Sequence, residues 1–117
     1  MSRARETYFC LRIVEYTSIP LTLCLVLYLL SGYGMISPIL SLVGLTYATS
    51  VKIHTLPLLR IAIAVLSILH FYGGALLLLN RNIRNERMRK FIKTIVLVIA
   101  LILSLLIALS EIALLLS

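Results

Sequence analysis

Charge is what this sequence has least of. Only 13% of its 117 residues are Asp, Glu, Lys or Arg, roughly half the usual share of a soluble domain. Hydrophobic residues make up 62%, and the mean hydropathy is +1.12. A water-soluble fold of this length has nowhere to hide so much apolar surface, whereas lipid accepts it. Four carboxylates in the whole chain form no acidic cluster. With no glycine-rich phosphate loop and no nucleophile–base pairing beside them, a soluble-type enzyme is excluded. Cysteine is equally scarce. Cys10 and Cys24 lie about four turns apart on one apolar run, out of reach of a disulfide, and no zinc-type spacing exists.

What the chain does have is long apolar runs. The first covers about residues 8–31 and is interrupted only by Pro20, which should kink it. At 1.5 Å per residue it crosses a hydrocarbon core of about 30 Å. Ser31-Gly32-Tyr33-Gly34 reads as its stop, with tyrosine suited to the interface. The second runs from about 55 to 79, with Thr55 expected as N-cap and Pro57 in the first turn. The third, about 88–116, is almost entirely Leu and Ile. The expectation is an all-α membrane protein, a single transmembrane domain over 1–117 with three spanning helices.

Residues 35–53 are apolar enough for a fourth span but carry Ser37-Pro38, Gly44, Thr46, Thr49, Ser50 and Lys52. The distribution of positive charge decides between three and four. Arg81, Arg84, Arg87, Arg89, Lys90 and Lys93 lie in or beside the 80–90 connection, and Arg3, Arg5 and Arg12 lie near the start. Three spans put both groups on one side, as the positive-inside rule demands. The amino terminus and the 80–93 loop are then cytoplasmic, the carboxyl terminus lies outside the cell membrane, and 35–53 is a short interfacial or re-entrant helix. The same placement explains the net charge of +7 by lipid headgroups rather than nucleic acid, for which no motif is present. The basic start followed by an apolar run without a small-residue cleavage site reads as a retained helix.

Ionisable residues inside spans are few and informative. Glu15, near the inner end of the first span, sits three residues from Arg12, a spacing that suits an interfacial ion pair, with a proton or quinone role as the alternative. Glu111, about 27 Å up the third span, reaches the far interface. His70 falls mid-span in the second run, with Gly73 and Gly74 one turn on. Small residues there leave room for a flat macrocycle beside a neutral imidazole, or for close helix packing. His54 precedes the same run, roughly 24 Å away along the axis, so both cannot bind one iron within a monomer. Arg60 is placed either to face a propionate or to snorkel to the headgroups.

Leu11-Arg12-Ile13-Val14-Glu15-Tyr16, an apolar stretch, and then Leu30-Ser31-Gly32-Tyr33-Gly34 resemble the first helix of small membrane b-type cytochromes. His54, then His70-x-x-x-Gly74 and a basic exit at Arg81, resemble their histidine-bearing second helix; His-x-x-x-Gly also recurs in membrane anchors of succinate dehydrogenase and fumarate reductase. The resemblance covers about residues 11–84. It implies a haem b, with His70 and His54 as candidate iron ligands and Gly74 and Arg60 lining the cofactor. It further implies a quinone as redox partner and an electron-transfer role within a respiratory complex, without catalysis of its own. Glu15 stands where those cytochromes have a histidine, and the third span has none. A second axial ligand must therefore come from another membrane subunit or a second copy of the chain. The competing expectation is a haem-free subunit that anchors a larger membrane complex.

Overall fold

The computed structural model describes residues 2–117, all helix and short connections with no strand among them. The order is α1 (Arg3–Ile36), a 3-10 segment (Pro38–Val43), α2 (Tyr47–His54), α3 (Pro57–Asn82) and α4 (Glu86–Leu116). α1, α3 and α4 are each long and apolar enough to cross a membrane. The protein is a membrane protein with three spanning helices and shorter ones between the first two.

The helices outrun the apolar stretches. α1 begins at Arg3 and continues through Pro20 and through Ser31-Gly32-Tyr33-Gly34, expected to stop it, to Ile36; neither glycine there takes a positive φ, so the helical hydrogen bonds run on. The basic connection shrinks to residues 83–85 between α3 and α4. Asn85 caps α4, its Oδ1 accepting from the N–H groups of Arg87 (3.0 Å) and Met88 (3.4 Å). Arg89, one turn into α4, is buried and donates to the Ile83 carbonyl at 3.1 Å, so a carbonyl at the end of α3 is satisfied without water.

The chain divides into two compact units. One joins the start of the chain, through Thr17, to Ile68–Ser117; the other is Ser18–Ser67. In the first, Gly73 is buried, and a Cβ there would lie 3.2–3.3 Å from Ile13 Cγ2, Val14 Cγ2 and the Cys10 carbonyl. That glycine therefore sets the close approach of α3 to the start of α1. Leu and Ile cover most of α4 and are exposed, as lipid contact requires. Its hydroxyls add no polar cost, since Thr94, Ser104 and Ser110 each donate to the carbonyl four residues back.

In the second unit the segment between the spans is docked on α1. Ser41 and Gly44 close the 3-10 segment, Gly44 at φ +90°, which is why glycine stands there. Thr46 caps α2 through the Thr49 N–H. Ser50, fully buried, presses against Gly34, where a Cβ would overlap its side chain. One turn later the His54 ring comes within 3.3 Å of a Cβ built on Gly32. Thr55, expected to start α3, instead ends α2: its hydroxyl donates to the Val51 carbonyl at 2.7 Å. α3 then begins at Pro57, whose missing N–H costs nothing in a first turn.

Candidate functional site

Both histidines are held by hydroxyls of α1. Thr17, buried, donates its single proton to the Ile13 carbonyl at 2.7 Å, and its oxygen lies 3.0 Å from His70 Nδ1. When Thr17 gives its proton to that carbonyl it accepts from the ring, an arrangement that puts hydrogen on His70 Nδ1 and the lone pair on Nε2. Ser31 repeats the arrangement. It is 1% exposed, donates to the Tyr28 carbonyl at 2.9 Å, and lies 3.0 Å from His54 Nδ1. His54 Nδ1 is also 3.2 Å from that carbonyl, an obligate acceptor. The hydrogen of His54 is therefore on Nδ1 as well. No other described residue hydrogen-bonds either Nε2.

The surroundings differ. His54 stacks on Tyr28, ring centroids 4.0 Å apart at 26°. Together with Leu29, Gly32, Tyr33 and Ile36 the two rings line an apolar cleft of about 310 Å³. His70 has no ring stacked on it among the described residues. Of its two nearby glycines, Gly73 is filled by α1 while Gly74 meets nothing within 4 Å. The open space falls at i+4, on the helical face of His70. Arg60, half-buried in the first turns of α3, donates to the Thr55 carbonyl at 3.4 Å. Glu15 pairs with Arg12 at 3.3 Å on the surface, and Arg12 also rests over the Tyr8 ring.

The donor set limits what metal chemistry these residues can hold. Among the described residues no three His, Cys, Asp or Glu side chains come together, so a bare ion would lack ligands. A macrocycle that brings its own nitrogen donors needs only an imidazole Nε2. His70 and His54 each offer one in the fixed tautomer, its other nitrogen tied down as is usual for metal-bound histidine. The two fall in different units. Within either unit the residues present would thus offer a macrocycle one histidine. Thr17 and Tyr28 were not among the candidates from sequence, and Ser31 entered only within the expected helix stop and the cytochrome-like motif; the signal available was a pair of hydroxyls fourteen residues apart in the first span.

No family model, no curated protein and no solved structure matches the chain.

Proposed function

We propose that this chain is a small b-type cytochrome-like subunit, passing electrons within a respiratory or quinone-linked complex of the cell membrane. The observation that carries the reading is the Thr17–His70 pair. It leaves Nε2 of a membrane-embedded imidazole as a lone pair beside the open face at Gly74. A haem b held there would supply the one-electron chemistry. His70 is the leading ligand and His54 the second candidate. Arg60 is the cation nearest the start of α3 for a propionate. A further iron ligand would come from a partner subunit or a second copy. In this orientation the basic ends of α1, α3 and α4 are cytoplasmic and the end of α4 lies outside.

The test is an optical spectrum of the purified native complex, oxidised and reduced, compared with a His70→Ala variant. A b-type reduced band that disappears in the variant while assembly persists supports the assignment. An unchanged spectrum removes His70 as a ligand, and a featureless one in the native complex removes the haem. The second reading, a haem-free anchor, is favoured by one observation, the exposed Leu and Ile of α4. A featureless spectrum selects it.

A further inference from the structure

The cleft beside His54 lies wholly within the second unit, where the end of the apolar run of α1 meets the end of α2. Three of the six residues that line it carry rings, Tyr28, Tyr33 and His54. The other walls, Leu29, Gly32 and Ile36, are hydrocarbon and, at Gly32, bare backbone. His54 enters the cleft in a fixed pose. Its Nδ1 is held by Ser31 and the Tyr28 carbonyl, and its ring lies on Tyr28 with centroids 4.0 Å apart. The second nitrogen, Nε2, carries the lone pair. It is also reachable. Among the described residues only Ser50 Oγ and Asn80 Oδ1 are side-chain atoms both buried and without a hydrogen bond. His54 is half-buried, so its Nε2, which no described residue bonds, keeps accessible surface.

Whatever fills the cleft strips water from that nitrogen. A lipid tail covers the apolar walls and returns no hydrogen bond, which is costly. A strongly polar ligand finds one acceptor and otherwise hydrocarbon. The occupant that uses every wall is flat, so that it stacks with the Tyr28–His54 pair. It has an O–H to give to Nε2, and it dissolves in the bilayer that surrounds α1. A volume of about 310 Å³ lies at the small end of ligand clefts and suits one substituted ring. We propose, resting on the electron-transfer reading above, that this cleft binds a lipid-soluble hydroquinone, one hydroxyl of which donates to His54 Nε2. With His70 as the leading iron ligand, His54 is left to this second role.

Equilibrium binding to the full chain in lipid nanodiscs, under argon and with empty nanodiscs as the blank, tests this with two probes. Tetramethylhydroquinone and its dimethyl ether share ring and methyl groups, and only the first has O–H to donate. One net hydrogen bond predicts a preference for the hydroquinone of roughly threefold to tenfold. His54→Phe keeps a ring on Tyr28, removes the acceptor and brings the two probes level. Ile36→Trp, at a residue 78% exposed, fills the cleft without touching its hydrogen bonds. It abolishes binding of both probes, and serves if His54→Phe does not fold. Equal binding of the two probes by the unaltered chain overturns the proposal and leaves a furrow for lipid tails. A preference that survives His54→Phe overturns it in favour of a site elsewhere. Since the readout is binding, the two readings fail separately. A preference kept by a chain without haem supports the cleft while the electron-transfer reading falls, and a haem-bearing chain without the preference overturns the cleft alone.

Discussion

The two histidine stations use the same chemistry and differ in how tightly they hold the ring. At each, an α1 hydroxyl whose proton is already given to a backbone carbonyl accepts from Nδ1. His54 has, in addition, a second acceptor in the Tyr28 carbonyl, a stacked tyrosine and a glycine beneath it. His70 has Thr17 alone and open space one turn away at Gly74. A ring gripped on several sides is positioned at little risk from losing one contact. A ring held at one nitrogen depends on it, and has its remaining face available. The contrast is why His70 leads as the proposed ligand, although an α1 hydroxyl lies against Nδ1 at both.

Three substitutions probe that contrast, and detergent-titrated unfolding reads each. The largest effect is expected at the seat of His54. Gly34→Ala puts a methyl group into the buried Ser50 side chain, forcing α2 off α1 at a cost of about 2–3 kcal/mol. Faster proteolysis within residues 38–54 should accompany it. An unshifted transition would show that α2 does not depend on the Gly34 contact. Thr17→Val comes next. It removes the partner of His70 Nδ1 and should cost about 1 kcal/mol, the scale of an interhelical hydrogen bond in lipid. The cost should fall sharply when His70 is already alanine. Ser31→Ala is the smallest, a few tenths of a kcal/mol, because the Tyr28 carbonyl still accepts from His54 Nδ1. If Ser31→Ala costs as much as Thr17→Val, the two stations are alike and the preference for His70 loses its basis.

The three spans were legible because hydropathy reports what lipid demands, and α1, α3 and α4 meet that demand by composition alone. The Arg12–Glu15 pair followed from spacing in the same way. Other features depend on which element lies opposite, and a single chain does not carry that information locally. Gly73 and Gly74 are neighbours in sequence, yet one is filled by Cys10, Ile13 and Val14 and the other is open. Ser50 looked like a polar residue of an interfacial helix and is instead the most buried side chain of α2. The hydroxyl partners of both histidines were in plain view, but serine and threonine in a spanning helix usually bond their own backbone. Thr17 and Ser31 do that and also accept from a ring.

The connection between α3 and α4 has one more consequence. Residues 83–85 are all that join two spanning helices, and this short elbow is stiffened at both sides, by the Asn85 cap and by Arg89 reaching back to the Ile83 carbonyl. So little slack makes α3 and α4 a hairpin that would enter the bilayer as one unit. In the proposed orientation the six cations clustered at that turn would act as a ratchet for biogenesis, holding the elbow at its starting face while the apolar arms move in. Any tag or reporter spliced into the elbow would separate the arms and turn one insertion event into two.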